Sequence, residues 1–327
     1  MDDDKPAWSY PRRLTVKILT VAMAVFCRTY VPFAALGVWN RVFGGWRSVF
    51  FCYAGSRSFI TSYAPSSLVA MFRWVPSPIA ILLHNGARGL VLAAPVSEEE
   101  FLDPANRAQF RRLQLRLRRS AWLVGAREVN LAGILPGVIK QSDVLDVPDT
   151  RATVVAAVSA AVAALTRNQF AGKAPSLIVL GGGGYVGRPL TQSLRKNGFN
   201  VTVVDPKGGV SALPIKLRNR PCLLIDISRA GAIQTYVPDM WPGLVVLNET
   251  FPQPPGRVVR AMTARGVDVF HLSGLEGDIT PPLPFGYANA IPCCAAHGTG
   301  RSPRIKLVQL GNADQITSVD LSPAQVS

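Results

Sequence analysis

An apolar run, Ser176 to Leu180, passes without a break into Gly181-Gly182-Gly183-Gly184-Tyr185-Val186-Gly187, and no other stretch limits the fold as tightly. A helical pattern follows through Leu194, and Asn200 to Val204 forms a second apolar run. Short apolar runs bounded by glycine read as buried strands, and two of them joined through a helix read as a parallel pair. The spacing Gly182-x-Gly184-x-x-Gly187 lies between strand and helix, with Tyr185 and Val186 inside it. Glycine is needed there because the turn is tight, an anion must approach the backbone, and the helix must pack close to the strand.

Context strengthens the motif. Asp205 ends the second strand 18 residues after Gly187, where an acidic side chain can accept from the ribose hydroxyls of a dinucleotide. The expected fold is therefore α/β, with a Rossmann-type doubly wound parallel sheet and a nicotinamide cofactor. Asp205 favours NAD(H), and Lys207 leaves NADP(H) as the alternative, since it could meet a 2′-phosphate. The alternation continues through Cys222 to Ile227, Leu244 to Leu247, a helix from Arg257 to Arg265, and Val267 to Leu272.

Upstream, Val49 to Tyr53, Ile79 to Leu83 and Leu90 to Ala93 read as strands, with Asn85-Gly86 as a turn beside His84. A helix is expected from Asp103, as N-cap with Pro104 in first position, to Val124. Six arginines cover its outer faces: Arg107, Arg111, Arg112, Arg116, Arg118 and Arg119. They read as a solvated face or as a surface that docks anions. Glu128 to Leu131 is a further strand, Gly133 to Gly137 a loop, and Thr150 to Thr166 an alanine-rich helix suited to close packing. The organisation read from this pattern is an N-terminal helical segment over 1–45, an α/β substrate domain over 46–168, the dinucleotide-binding domain over 169–311, and a tail over 312–327.

The chain is 48% hydrophobic and 17% charged, and 35 Lys and Arg against 20 Asp and Glu give it a net charge of +15. Acidic partners are implied: anionic lipid, an acidic carrier protein or nucleic acid, the last disfavoured by the lack of zinc-finger or RNP-type motifs. Leu14 to Trp39 is apolar but interrupted by Lys17 and Arg28, so neither uninterrupted run reaches the ~18–20 residues of a spanning helix. Arg13, Lys17 and Arg28 share one helical stripe opposite Ile18, Val21, Val25 and Phe26, the pattern of an amphipathic anchor lying in a membrane face. A core helix and an export signal led by Arg12-Arg13 are the alternatives. Five cysteines without metal-ligand spacing exclude a zinc site and point to a reducing, cytoplasmic setting, peripheral to a membrane if the anchor holds.

From about Gly125 to Gly298 the chain resembles the long-chain acyl-[acyl-carrier-protein] reductases, which share their architecture with glutamyl-tRNA reductase. The likeness rests on Gly125-Ala126 with Val129-Asn130-Leu131-Ala132-Gly133, the helix from Thr150, the glycine motif, Pro242 to Pro252, and Cys293-Cys294-Ala295 after the last strand. The resemblance implies reduction of an acyl thioester to an aldehyde through an acyl-enzyme on Cys293, a role in lipid metabolism, and an acyl substrate held by a carrier. His297, four residues on, is placed to serve as base, and His271 ends the last strand near the crevice. Both cysteines read equally as inert buried residues. Asn248 and Glu249 end a strand on the same side and could meet cofactor or substrate. A dehydrogenase using His271 as general acid, a membrane-associated dinucleotide sensor, and assembly as a homo-oligomer all stay open.

Overall fold

The computed structural model describes residues 28–54, 72–139, 144–283, 290–296 and 304–311, isolated helical positions among 14–26 and 57–70, and Ser318–Val319. Two sheets make up the fold, each doing a different task. The first has the order β10-β2-β3-β1-β4, from strands β1 (Trp46–Ala54), β2 (Ser77–His84), β3 (Ala87–Ser97), β4 (Glu128–Leu131) and β10 (Asp278–Thr280). β1 runs parallel to β3 and β4, while β2 and β3 form an antiparallel hairpin. Asn85 and Gly86 close that hairpin, both with positive φ, so the turn chemistry of Asn-Gly holds and His84 sits at its edge.

The second sheet has the order β13-β12-β9-β8-β7-β5-β6. Strands β5 (Ser176–Leu180), β6 (Val201–Val204), β7 (Cys222–Asp226), β8 (Leu244–Asn248) and β9 (Asp268–Glu276) run parallel. β12 (Ile305–Leu310) and β13 (Ser318–Val319) extend it antiparallel, and β11 (Ala290–Ile291) pairs with β9. The chain steps from β5 outward to β6 and then back to β7 on the other side. That reversal creates the crevice at the carboxyl ends of β5 and β7 where open α/β sheets take ligands.

Helix α1 (Val31–Phe43) and helix α3 (Arg107–Val124) cover the outer face of the first sheet, with the short α2 (Glu98–Leu102) between β3 and α3. Asp103 caps a 3-10 turn, Pro104–Asn106, by accepting from the Ala105 amide at 2.9 Å, and the α-helix proper starts only at Arg107. The apolar run 14–39 is not one helix. Tyr30 takes a left-handed φ of 59° and Arg28–Tyr30 turn the chain, so α1 begins afresh at Val31 and continues past Trp39. Lys17, Val21 and Val25 lie outside the described residues. No described helix is long and apolar enough to cross a membrane.

After the short helix α4 (Leu135–Ile139), helix α5 (Arg151–Gln169) lies between the sheets. Its Ala157, Val158, Ala161 and Val162 are fully buried in one cluster with Phe50, Leu82 and Val91 of the first sheet and Leu177, Val179, Leu223 and Leu247 of the second. Helix α6 (Gly187–Lys196) joins that cluster through Leu190 and Leu194, and α7 (Gly256–Thr263) covers the second sheet's far face. This cluster spans the division at 168/169, whereas the cluster around Val49 and Leu113 lies before it and the one around Ile178 and Leu224 after it. β10, which follows β9 by one residue, pairs with β2 and carries the C-terminal half into the first sheet. Side-chain volume at Ala161 sets how closely the sheets approach. Ala161→Leu should cost about 1–3 kcal/mol of stability through overpacking. The exposed Ala163→Leu should be nearly neutral. Denaturant midpoints of the two variants check the contrast.

Candidate functional site

A cleft of about 880 Å³ lies over the carboxyl ends of the second sheet and is walled on its other side by the first. The glycine turn forms its floor. Gly181 holds φ at 80°, its carbonyl accepts from the Gly184 amide at 2.9 Å, and its own amide donates to Val204 at 3.0 Å. A Cβ on Gly187 would lie 2.2 Å from the Gly181 carbonyl oxygen and 2.7 Å from the Gly182 Cα, so only glycine lets α6 start this close to β5. The cradle thus has the backbone approach and helix start that a pyrophosphate needs.

Gly184, Tyr185, Val186, Gly187, Asp205 and Lys207 all line the cleft, while Gly182 sits behind the turn, where a Cβ would strike Val203 at 2.8 Å. The Asp205 carboxylate accepts from the Gly183 amide and from the Lys207 amide, each at 3.0 Å. Both oxygens are thereby fixed at the end of β6, facing the turn. Arg151 stacks its guanidinium over Tyr185 at 4.7 Å from the ring centre and pairs with Asp149. Arg151, Lys207 and Arg229 are three cations on the cleft's lining.

Deeper in, a connected polar chain joins the ends of β7 and β8 to His271 within β9. His271 Nδ1 meets Asn248 Oδ1 at 2.8 Å, and Asn248 Nδ2 donates to Asp226 Oδ2 at 3.2 Å and to Thr250 Oγ1 at 2.7 Å. Asp226 also accepts from the Ser228 amide at 3.1 Å and from the Ser228 hydroxyl. With its Nδ2 donating to both Asp226 and Thr250, Asn248 presents its oxygen to His271. His271 therefore carries its proton on Nδ1 and keeps Nε2 as an acceptor. Burial lowers its pKa from 6.5 to about 4, so it is neutral near pH 7 and binds a second proton only weakly.

Glu249 lies half-buried beside these residues. Burial, and then the charge of Asp226, raise its pKa to about 8. The Ser273 hydroxyl, two residues past His271 and fully buried, also lines the cleft and has no hydrogen-bond partner among the described residues. The chain's sequence hides Asp226, Ser228 and Ser273 as site residues, since Asp226 ends a buried strand, Ser228 follows it by two residues, Ser273 lies within β9, and none belongs to a motif. Asp at the end of an otherwise apolar strand, directly before Ile-Ser, was the one available signal.

Cys293 and Cys294 also line the cleft, in a 3-10 turn (Cys293–Ala295) packed against α5. Burial first, then the nearby Glu249, push the Cys293 thiol well above its usual value and that of Cys294 up to about 12. Neither thiol is activated by a cation among the described residues, and His297 lies outside them. Cys52, at the far wall, is likewise raised to about 12 by burial and by Cys294. Among the described residues no group of His, Cys, Asp and Glu could hold a metal.

No family model matches the chain, and no curated protein matches it in sequence. In structure it is similar to a reductive aminase from Aspergillus terreus, in complex with NADPH and ethyl-5-oxohexanoate, at 20% identity and a TM-score of 0.24. That match covers 33% of this chain and 46% of the aminase, so the chain spans about half of that protein. It is similar as well to the bifunctional FolD methylenetetrahydrofolate dehydrogenase/cyclohydrolase from Campylobacter jejuni, at 12% identity and a TM-score of 0.26, over 71% of this chain and 78% of that one. Likeness at this level leaves the fold to be read from the chain's own sheet order and glycine turn.

The raised Glu249 pKa has a stability consequence. An unfolded glutamate ionises near 4.5, while the folded chain holds the proton to about pH 8. Its contribution is thus fully present below pH 4.5 and is lost as pH rises toward 8. Glu249→Gln should raise the melting temperature at pH 8 and leave it unchanged at pH 4. Equal shifts at both pH values would show that Glu249 ionises normally in the fold.

Proposed function

We propose that this chain is an NAD(P)-dependent oxidoreductase acting on an acyl or carbonyl carbon. The single observation behind this reading is that one cleft joins the glycine cradle and Asp205 to two groups with opposite proton affinities, Glu249 and His271. A nicotinamide dinucleotide held there would supply or accept a hydride. The backbone amides of the turn and the start of α6 would hold its pyrophosphate, with Arg151 and Arg229 adding charge. Asp205 would accept from the adenine ribose, which favours NAD(H) over NADP(H). Protonated Glu249 can donate to a developing alkoxide, and Ser273 can hydrogen-bond the same oxygen. In the reverse direction the Glu249 carboxylate would take that proton back, while His271, with its lowered pKa, stays neutral.

A second reading follows the resemblance to acyl reductases and is favoured by the presence of Cys293 and Cys294 in this same cleft. Cys293 would exchange with a carrier thioester: its sulfur bonds the acyl carbon, the carbon–sulfur bond to the carrier breaks, and the proton leaves on the carrier thiol. With its thiol held protonated by burial, Cys293 should acylate slowly at pH 7 and faster with each unit of pH above it.

Cofactor choice tests the first layer of the proposal. Wild type should bind NADH more tightly than NADPH in fluorescence titration, and Asp205→Ser should move the preference toward NADPH; equal or tighter NADPH binding by wild type removes Asp205 from that role. Chemistry is tested by adding an acyl thioester without reduced cofactor and weighing the protein. An added acyl mass, absent in Cys293→Ala and discharged by NADH, supports the covalent reading. No added mass, together with aldehyde or ketone turnover that falls about 10²–10⁴-fold in Glu249→Gln, supports direct reduction. Dinucleotide binding without turnover of either kind defeats the enzyme reading.

A further inference from the structure

Residues 5–97 hold ten lysines and arginines and no aspartate or glutamate. Within this segment α1 turns a largely apolar face outward. Phe33 and Gly37 pack inward, with Gly37 so close to α3 that a Cβ would meet the Leu123 carbonyl oxygen. On the opposite side Val38, Trp39, Val42 and Phe43 are between 52% and 68% exposed. Trp39 and Phe43 contact each other at 4.5 Å between ring centres, making an aromatic ridge. Isolated exposed apolar residues are ordinary, but four on one helix face are a surface looking for a partner.

The neighbouring helix adds to it. Leu115 and Trp122 of α3, 50% and 70% exposed, lie two turns apart on one stripe. Arg111, Arg118 and Arg119 stand three or four residues from them and are exposed, with the Arg119 guanidinium 4.4 Å above the Tyr30 ring just before α1. Upstream, Leu14, Ile18, Leu19 and Phe26 are exposed helical positions as well.

We infer that the outward face of α1, with Leu115, Trp122 and the arginines of α3, docks on the surface of an anionic lipid bilayer. Charge selects this occupant. A second copy would bring the same carboxylate-free surface against itself across a two-fold axis, opposing cations to cations. Nucleic acid would satisfy the arginines but offers nothing to Val42 and Phe43. An anionic bilayer satisfies both: headgroups take the arginines, and the acyl boundary takes the apolar side chains to a depth of roughly 5–10 Å. α1, at 13 residues, would lie in the plane of the interface rather than span it.

Flotation of the full chain with vesicles tests this. Vesicles of three parts phosphatidylcholine to one part phosphatidylglycerol should carry the protein upward, and phosphatidylcholine alone should carry little. Val42→Asp with Phe43→Asp should reduce flotation about tenfold or more at an unchanged melting temperature, as both side chains are exposed. Arg111→Glu with Arg118→Glu should weaken binding and flatten its dependence on salt. The proposal is overturned if the full chain stays at the bottom with the anionic vesicles, or if the aspartate variant floats like wild type. It is overturned equally if light scattering shows those aspartates converting a dimer to a monomer while vesicle binding is unaffected.

Discussion

The position of α5 between two sheets is the constraint on which the rest of the molecule hangs. A helix buried on nearly all sides cannot be amphipathic, and the sequence Val154-Val155-Ala156-Ala157-Val158 through Ala164 shows no polar stripe. Small side chains at Ala157 and Ala161 let Phe50, Leu82 and Val91 approach it from one sheet while Leu177, Val179 and Leu223 approach from the other. Because both sheets rest on one helix, their edges stay in register, and the cleft over the strand ends has two walls instead of one. β10 and β11 strengthen the join, since β10 leaves the second sheet to pair with β2 and β11 returns to pair with β9. A chain whose halves folded separately would lose this shared core, worth about 25 cal/mol for every Å² of apolar surface it keeps from water.

Burial also decides the chemistry of the cleft. It moves each titratable group toward its neutral form, and the direction depends on the group: Glu249 up, the cysteine thiols up, His271 down. Asp226 is raised by burial as well, opposed by its bonds to Ser228 and Asn248. Glu249, the cysteine thiols and His271 are thus uncharged near pH 7, while charge collects at the rim on Arg151, Asp205, Lys207 and Arg229. Such a gradient suits a ligand that is ionic at one end and reacts at the other. With its pKa raised to about 8, Glu249 still carries its proton near pH 7, where a solvated carboxylic acid has lost it.

Much of this was legible in the chain because it is local. A glycine spacing, a short apolar run and an Asn-Gly turn each act over a few residues, and the strands from Ser176 to Leu272, the β2–β3 hairpin and the Asp205 position all follow from them. What escaped is long-range. β10 has three residues and β11 two, too short for any period to register, and they form only because β9 delivers them to partners nearly 200 residues away in sequence or back onto itself. β12 was lost between glycine- and proline-rich flanks. Asp226 reads as the end of a buried strand and Ser273 as part of another, and only the register of β7 with β8 brings Asp226 opposite Asn248. At Arg28–Tyr30 the chain turns although Tyr30 carries none of the usual turn chemistry, and the one local signal of the restart is Pro32 in the first turn of α1.

The two halves contribute unlike surfaces to the cleft, and that asymmetry bears on what it can hold. From the second sheet and the loops after its strands come the glycine turn, Asp205, Lys207, Arg229, Glu249, His271 and Ser273, with Arg151 added by α5. From the first come Phe50, Cys52, Ile79, Ala93 and Leu131, with Glu98 as its one carboxylate, already engaged by the Tyr53 hydroxyl at 3.3 Å. Tyr53 in turn accepts from the Ile134 amide, so the polar groups on this wall are spent on one another. A ligand reaching past the reacting groups would meet surface that rewards apolar contact and offers few partners for hydrogen bonds. Polar extensions would leave their own donors unpaired there, at a cost of about 1–3 kcal/mol each. Under the oxidoreductase reading, selectivity for the substrate thus rests on the first sheet and affinity for the cofactor on the second, and substitutions in either wall should alter one with little effect on the other.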